Sequence, residues 1–317
     1  MNTNPIPISV VIPAYNVENY IEKTIRSALS QPEVMEVVLV DDGSTDNSLN
    51  IIHKIAKSND KVKVYQHKDG INKGRGATRN LGIIKATSAY IAFLDADDFY
   101  LSNRFQKDLE VLQDSSVDGC YSAVGFHFYR KPKSEEERHY KVSTLSRPVR
   151  PEKLFENIVT SKLGYLHLNG LTVKKSVFKE VGLMNENLKV TQDTDIIFKL
   201  AMKCKLVPAS IKKEVALRGV HDTNVFYQDH LYKEYTPILF ESLLSWSISN
   251  NISIEDKDHL MNALWIHRFR TSDSLVKDTF YWLGLHMRQP KLCLTILPIK
   301  YFPIIRKRQQ LFSFLYR

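Results

Sequence analysis

The chain has 317 residues, of which 43% are hydrophobic and 25% are charged. This length allows one or two domains with a large core, and this composition excludes wholesale disorder. The formal net charge of +9 favours an anionic partner, such as nucleic acid, anionic lipid or a phosphorylated substrate, without choosing among them.

Strands alternate with helices over the first third of the chain, as the runs of apolar residues and their spacing indicate. Strands are predicted over residues 8–12, 34–40, 62–65 and 90–94, and helices over residues 19–29, 45–57 and 77–86. This alternation predicts right-handed crossovers and therefore an α/β fold with a mostly parallel sheet.

Three of these strands end in polar segments, Pro13-Ala-Tyr-Asn16, Asp41-Asp-Gly-Ser44 and Asp95-Ala-Asp97. The carboxyl ends of parallel strands meet at one edge of the sheet, where open α/β sheets bind their ligands. Taken alone, each segment could be a turn that caps the next helix, but three converging segments favour a binding site. Two aspartates one residue apart, Asp95 and Asp97, can reach one hard cation.

The middle of the chain continues the α/β pattern, whereas the last third shows helical periodicity alone. Helices are predicted over residues 103–112, 151–159, 176–181 and 193–203, strands over 119–129, 170–173 and 211–217, and an exposed charged loop over 130–150. Thr191 is expected to cap the helix that follows it. Further helices are predicted over residues 234–248, 255–269 and 273–287. We therefore expect an α/β domain over residues 1–226 and a helical region over residues 227–317.

The cysteine pattern and the termini indicate the compartment. Cys120, Cys204 and Cys293 are scattered without a CxxC pair, so neither a disulfide framework nor a zinc site is indicated. The N-terminus lacks the basic start and apolar core of a signal peptide. No stretch has the ~20 apolar residues of a spanning helix. The sequence therefore predicts a cytoplasmic protein.

Several segments in a fixed order resemble the family 2 glycosyltransferases of the GT-A fold. They are Ile-Pro13-Ala-Tyr-Asn16, Val-Asp41-Asp-Gly-Ser-Thr-Asp, Asn72-Lys-Gly74-Arg-Gly76-Ala-Thr-Arg79-Asn80-Leu-Gly82, Leu-Asp95-Ala-Asp97-Asp98, Val181-Gly-Leu-Met-Asn-Glu-Asn-Leu and Gln192-Asp193-Thr-Asp195. The resemblance covers residues 6–224 and leaves out the helical region. It implies a Rossmann-like GT-A sheet and an inverting transfer of a sugar from a nucleotide-diphosphate donor, in the synthesis of a bacterial surface polysaccharide.

The resemblance also implies which residues bind the donor. They are Pro13, Ala14, Tyr15, Glu18, Asp41, Gly74, Arg79, Asp95, Ala96 and Asp97. Tyr15 would stack on the nucleobase, and Asp41 would accept its imide N–H, which favours a UDP-sugar. Arg79 would bind the diphosphate or the base. The simpler interpretations are a strand-end aromatic for Tyr15, helix N-terminal charge for Glu18, and turn chemistry for residues 41–46.

The same resemblance implies a metal and a catalytic base. Asp95, Asp97 and His221 match the ligands of Mn²⁺ or Mg²⁺, although a structural histidine explains His221 equally simply. Asp193 matches the general base, which takes the proton of the acceptor hydroxyl as its oxygen attacks the anomeric carbon.

On the acceptor side the resemblance implies Gln192 and Asp195. Gln192 stands where many relatives have Glu, and it carries no charge. The simpler interpretation of Asp193 and Asp195 is acid at a helix N-terminus.

The end of the chain, residues 298–317, mixes large apolar residues with cations and contains no acid. One hypothesis is that this tail lies on the cytoplasmic face of the inner membrane and brings the site to a lipid-linked acceptor. Packing on the catalytic domain and a contact in a homo-oligomer are the alternatives.

Two other classes of function remain open. A nucleotidyltransferase of the same fold carries a Gly-x-Gly loop after its first strand, where this chain has Pro13-Ala-Tyr-Asn16. A non-catalytic nucleotide-sugar-binding protein would have no need of Asp95, Asp97 and Asp193. Nucleic-acid binding has only the net charge in its favour and is not expected.

Overall fold

The computed structural model describes residues 6–140, 142–269, 272 and 274–311. The chain divides after Gln228 into two compact units, Met1–Gln228 and Asp229–Arg317. The boundary expected at residue 226 lies close to this division. None of the helices in the described part of the chain is long and apolar enough to cross a membrane.

The first unit contains ten strands and eight α-helices within its described residues. The strands are β1 Ile8–Ala14, β2 Val34–Asp41, β3 Val62–Gln66, β4 Tyr90–Phe93, β5 Phe99–Tyr100, β6 Gly119–Tyr121, β7 Ala123–Phe128, β8 Leu171–Lys174, β9 Leu206–Pro208 and β10 Glu214–Val220. The helices are α1 Ile21–Leu29, α2 Ser48–Ser58, α3 Arg75–Lys85, α4 Gln106–Leu112, α5 Ser134–His139, α6 Leu154–Val159, α7 Phe178–Val181 and α8 Gln192–Lys203.

Seven strands form the main sheet, in the order β3-β2-β1-β4-β8-β6-β9. Neighbouring strands are parallel except around β8, which runs antiparallel to both β4 and β6. Every residue of β1 is buried, as expected for a strand whose sheet is covered on both faces. The predicted α/β fold with a mixed, mostly parallel sheet flanked by helices is confirmed.

A second sheet, in the order β5-β10-β7, was not predicted. The single strand expected over residues 119–129 is wrong, because β6 and β7 join different sheets on either side of Ser122. The Ser122 N–H donates to Gly170 O at 2.8 Å, whereas the Ala123 N–H donates to Ser210 O at 2.6 Å. The chain therefore changes partners at this point, which apolar alternation cannot reveal.

The charged segment 130–150 was expected to be a loop, but it contains helix α5. Glu136 stabilises the start of this helix, because its Oε2 accepts the Lys133 N–H at 2.8 Å. Its other oxygen pairs with Arg130 Nη2 at 2.7 Å. A glutamate three residues into a helix is a recognised N-terminal signal, so the sequence contained the information.

A buried ion pair joins α4 to the segment that enters β8. Arg104 Nη1 lies 2.7 Å from Asp108 Oδ2, and both side chains are fully buried. The hydroxyl of Thr172 donates to Asp108 Oδ2 at 2.6 Å, and that of Ser122 donates to Oδ1 at 3.0 Å. Arg104 Nε donates to the carbonyl of Asn169 at 3.1 Å. The pair therefore holds the chain just before β8.

We expect Asp108→Ala to lower the free energy of unfolding by about 3–5 kcal/mol, because Arg104 would keep a buried charge without a partner. Urea unfolding followed by circular dichroism measures this change. Lys107→Ala is the control, since Lys107 pairs with Glu110 at the surface and its loss should cost at most about 1 kcal/mol. Equal effects of the two variants would contradict a stabilising role for the buried pair.

The described part of the second unit is helical, as predicted. Its helices are α9 Asp229–Ser249, α10 Ile254–Arg268, α11 Leu275–Arg288, α12 Leu297–Lys300 and α13 Pro303–Leu311. Leu243 of α9 and Leu260 and Leu264 of α10 are buried in its core. Ser253 caps α10, because its Oγ accepts the Asp256 N–H at 3.0 Å.

Candidate active site

The polar segments that follow β1, β2 and β4 lie at one edge of the main sheet. Ala14 is in register with Asp41, and Asp41 is in register with Gln66. The Leu94 N–H, just beyond β4, donates to Val11 O of β1 at 3.1 Å. Residues 13–16, 41–44 and 95–98 therefore meet at this edge, where the sequence placed them.

Asp41 offers a buried, unused hydrogen-bond acceptor at this edge. Its side chain is 1% exposed, and its Oδ2 accepts from Gln66 Nε2 at 3.1 Å and from the Ser44 N–H at 3.3 Å. Its Oδ1 is buried without a partner. A buried acceptor without a donor is costly, so a ligand N–H would fit there. Tyr15 comes directly after Ala14, the residue of β1 that is in register with Asp41. Its side chain is 46% exposed and free to stack on a ring.

Glu18 and Asn16 bind the turn that precedes α2. The Asn47 N–H donates to Glu18 Oε2 at 2.9 Å, and the Thr45 N–H donates to Asn16 Oδ1 at 2.8 Å. These bonds give Glu18 a structural role at the start of α2. Its contact with a nucleoside stays a prediction.

Asp42, which was not among the predicted site residues, holds the glycine-rich loop. Its Oδ1 accepts the Lys73 N–H at 2.7 Å, and its Oδ2 accepts the Gly74 N–H at 3.0 Å. Gly74 has φ of +86° and precedes the first residue of α3, a conformation that favours glycine. Asp42 therefore fixes the path of the loop. Its position directly after Asp41 was the feature of the sequence that could have indicated this role.

Arg79 of α3 pairs with Asp95 at the end of β4. Arg79 Nη2 lies 2.5 Å from Asp95 Oδ1, and the guanidinium is buried. Burial alone would raise the pKa of Asp95, but the Arg79 charge outweighs it and lowers the pKa to about 2. Asp95 is therefore ionised at neutral pH. The Arg79 Nε is buried without a partner, which leaves one donor for a ligand.

Asp97 and His221, which the resemblance implies as metal ligands, lie together; that they bind a metal stays a prediction. Asp97 Oδ2 is 2.9 Å from His221 Nε2, and Asn224 Nδ2 donates to the same oxygen at 3.2 Å. His221 Nδ1 is 2.9 Å from Thr223 Oγ1, and the ring stacks on Tyr20 with centroids 4.8 Å apart. As the residues stand, Nε2 carries a hydrogen that it donates to Asp97 Oδ2. If a cation took the place of that hydrogen, the ring proton would lie on Nδ1 and be donated to Thr223, and Nε2 would be a ligand. The pair fits Mn²⁺ or Mg²⁺.

A second set of metal-type donors lies deeper, where Asp95, Asp98 and His167 have atoms within 4.8 Å of one another. Each oxygen of Asp98 already accepts a hydrogen bond, because Oδ1 accepts the Gly219 N–H at 2.6 Å and Oδ2 accepts from Asn169 Nδ2. His167 Nδ1 accepts the Asn169 N–H at 3.3 Å, so in neutral imidazole Nε2 carries the hydrogen. Burial lowers the pKa of His167 to about 3, so the ring is neutral. This set therefore fits a cation poorly and supports the site structurally.

Asp193 lies in the first turn of α8, half-buried. Its Oδ1 accepts the neighbouring Thr194 N–H at 2.8 Å, and its charge is close enough to Arg79 and His167 to act on both. Thr191, just before the helix, has φ of +64°, a rare conformation for a β-branched residue that often marks functional sites. Its hydroxyl donates to Val190 O at 2.6 Å, so the predicted side-chain cap is wrong.

Gln192 and Asp195 are buried in the protein. A Cβ placed on Gly76 would lie 3.7 Å from the Cβ of Gln192, so this side chain lies against α3. Asp195 is fully buried, pairs with Lys199 Nζ at 2.7 Å and accepts the Asn185 N–H at 3.1 Å. An uncharged side chain at position 192 is consistent with this burial. Its Oδ1 is buried without a partner, and the acceptor-side role of Asp195 stays a prediction.

The chain matches the protein family described as Glycosyl transferase family 2 over residues 9–182. It is 27% identical over 282 residues to an uncharacterized glycosyltransferase of Rickettsia felis, which covers 86% of this chain and 43% of that protein. It is 34% identical over 126 residues to TuaG of Bacillus subtilis, assigned by name to teichuronic acid biosynthesis, which covers 39% of this chain and 48% of that protein. The chain spans less than half the length of these relatives.

The fold is similar to that of S. aureus TarS. The structure of TarS 1-349 in complex with UDP-GlcNAc aligns with a TM-score of 0.56 and 18% identity, over 96% of this chain and 92% of that chain. The complex of the same protein with UDP aligns with a TM-score of 0.52 and 20% identity, over 96% and 91% of the two chains. At such identities the likeness establishes the fold.

Proposed function

The chain belongs to glycosyl transferase family 2, and we propose that it moves a sugar from a UDP-sugar donor to a hydroxyl group. The unpartnered buried Oδ1 of Asp41 carries the donor part of this proposal, because it would accept the imide N–H of uracil. The similarity in fold to a protein whose structures contain UDP and UDP-GlcNAc supports the same donor class. Residues 1–226 would form the catalytic domain.

The class of acceptor is proposed from the name of one relative. TuaG is assigned by name to teichuronic acid biosynthesis, which supports a glycan or lipid-linked acceptor in cell-envelope polysaccharide synthesis. The reaction would take place on the cytoplasmic side of the membrane. Residues 227–317 would then contact the acceptor, a second copy of the chain or the membrane surface.

Asp193 would act as the general base. It takes the proton of the acceptor hydroxyl while that oxygen bonds to the anomeric carbon and the bond from this carbon to the diphosphate oxygen breaks. A single displacement of this kind inverts the configuration of the anomeric carbon. The charge of Asp193 acts on both Arg79 and His167, which places Asp193 near the donor-binding residues and supports this assignment.

Asp97 and His221 would hold a divalent cation, with Asp95, two residues before Asp97, as the third ligand that the resemblance implies. When bound, Mn²⁺ or Mg²⁺ neutralises the charge that grows on the departing diphosphate. The 2.9 Å approach of Asp97 Oδ2 to His221 Nε2 supports this ligand pair. Arg79 would keep Asp95 ionised and in place. Its unpartnered Nε would donate a hydrogen bond to the bound sugar donor.

A donor screen by thermal shift tests the donor assignment. In the presence of Mn²⁺ we expect UDP to raise the melting temperature most, followed by dTDP, because both bases carry an imide N–H. CDP should stabilise less, because its N3 is an acceptor that would face Asp41. Ligand at about 100 times its Kd adds about 2.7 kcal/mol of stability, which is well within the range of the measurement.

Asp41→Asn is the matched variant for this screen. Because Gln66 and Ser44 already donate to one oxygen of Asp41, the amide nitrogen of the variant would face the ligand and repel its N–H. The preference for UDP over CDP should fall by about tenfold or more. A variant that keeps the full preference would show that another group recognises the base.

A further inference from the structure

Four large apolar side chains form an exposed stripe along α11. Val276, Phe280, Leu283 and Met287 are 43–81% exposed. Their spacing of four, three and four residues places all of them on one side of the helix. Leu285 is buried, so α11 packs on the core through a different side. We refer to these four residues as the α11 stripe.

The segment that carries the α11 stripe is strongly basic. Residues 274–311 contain seven lysines and arginines and one aspartate, Asp278. That aspartate is buried and pairs with Lys307 Nζ at 2.6 Å. Lys277 and Lys291 are exposed, and no carboxylate among the described residues pairs with either. Arg288, Lys300 and Lys307 pair with acids, with Glu241, Asp258 and Asp278 respectively. Lys277 and Lys291 therefore leave uncompensated positive charge on the segment that carries the α11 stripe.

Exposed apolar residues continue beyond α11. Leu294, Ile296 and Ile299 are each more than half exposed. A concentration of exposed apolar side chains of this kind marks an interaction site. No described helix can cross a bilayer, so a membrane contact here would lie in the plane of the surface.

We propose that the α11 stripe binds the surface of an anionic membrane. Phe280 and Met287 would enter the acyl boundary, while Lys277 and Lys291 would lie at the level of the anionic headgroups. Charge complementarity favours this occupant over a second copy of the chain, because two such basic surfaces repel each other. The inference does not depend on sugar transfer, because binding to lipid is measured without a donor.

This location differs from the one that the sequence suggested. The sequence-based hypothesis placed the membrane contact in residues 298–317, of which 312–317 lie outside the described residues. The exposed stripe starts upstream, at Val276. Within residues 298–311, Ile299, Ile304 and Ile305 are exposed and would extend the apolar surface that begins at Val276.

Sedimentation of the full chain with vesicles tests the proposal. We expect binding to phosphatidylcholine vesicles that contain phosphatidylglycerol, and weak binding to pure phosphatidylcholine. The double variant Phe280→Glu with Met287→Glu should lower the fraction bound by about tenfold or more, because it removes two anchors. Met35→Glu is the matched control, since Met35 is an exposed methionine outside this unit and its change should leave binding intact.

A second variant tests the electrostatic part. Lys277→Ala with Lys291→Ala should weaken binding to the anionic vesicles several-fold, and added salt should reduce the difference from the unaltered chain. Circular dichroism and the melting temperature check that each variant is folded.

Two outcomes would overturn the inference. One is equal binding of the unaltered chain and the Phe280→Glu, Met287→Glu variant to anionic vesicles. The other is that the unaltered chain does not bind vesicles but forms oligomers, as measured by light scattering, and that the same variant is monomeric. In that case the α11 stripe would be a contact between copies of the chain.

Discussion

Asp193→Asn is expected to lower kcat for sugar transfer by about 10²–10⁴-fold while the Kd for UDP stays unchanged. The amide keeps the size and the hydrogen bond to the Thr194 N–H, but it cannot take a proton from the acceptor hydroxyl. Because the substitution removes an interaction made only in the transition state, kcat and kcat/KM should fall together. Calorimetry with UDP and a transfer assay under saturating donor measure the two quantities.

Asp195→Asn provides the matched control on the same helix. Asp195 is fully buried and pairs with Lys199, so its substitution should leave a buried ammonium without its carboxylate. We expect a lower melting temperature and little change in kcat per folded molecule. A large fall in kcat at unchanged stability would instead support the acceptor-side role that the sequence suggested for Asp195.

A wild-type rate for Asp193→Asn would contradict the assignment of the base. If the unaltered chain bound UDP but transferred no sugar to any acceptor tested, a nucleotide-sugar-binding protein would be the better description. The two results are distinguishable, because the second needs no variant. The comparison of Asp193→Asn with Asp195→Asn therefore distinguishes an effect on catalysis from an effect on stability at two neighbouring positions of α8.

Much of the site was predictable because parallel strands have a simple geometry. Once β1, β2 and β4 were recognised, their carboxyl ends had to meet, and this placed residues 13–16, 41–44 and 95–98 together. The helical region was predictable for a similar reason, since helical periodicity is a local signal.

Some supporting residues were not predicted, because they do not follow from the rule that parallel strands end at one edge. His167 and Asn169 precede β8, and they reach the site because β8 is antiparallel, so that its beginning lies beside the end of β4. Local pattern does not reveal strand direction. Asp42 and Asp98 were visible in the sequence, but only the structure shows that both bind backbone N–H groups and support the site.

Asp97→Ala is expected to abolish the metal dependence of UDP binding. In the unaltered chain, removal of Mn²⁺ with EDTA should raise the Kd for UDP by about 100-fold or more, since a bound cation contributes several kcal/mol to binding a diphosphate. In Asp97→Ala the Kd should be equally weak with and without Mn²⁺. Calorimetry with UDP measures both, and electron paramagnetic resonance of Mn²⁺ measures the metal directly.

Asn224→Ala and His167→Ala locate the cation. Asn224 donates to Asp97, so its loss should weaken Mn²⁺ binding by about 10–100-fold without abolishing it. His167→Ala should leave Mn²⁺ binding intact, because the His167 ring supports Asn169 and its pKa of about 3 reflects burial among protein groups. If His167→Ala abolished Mn²⁺ binding while His221→Ala did not, the cation would occupy the deeper set with Asp98. The outer pair of Asp97 and His221 would then have only a structural role.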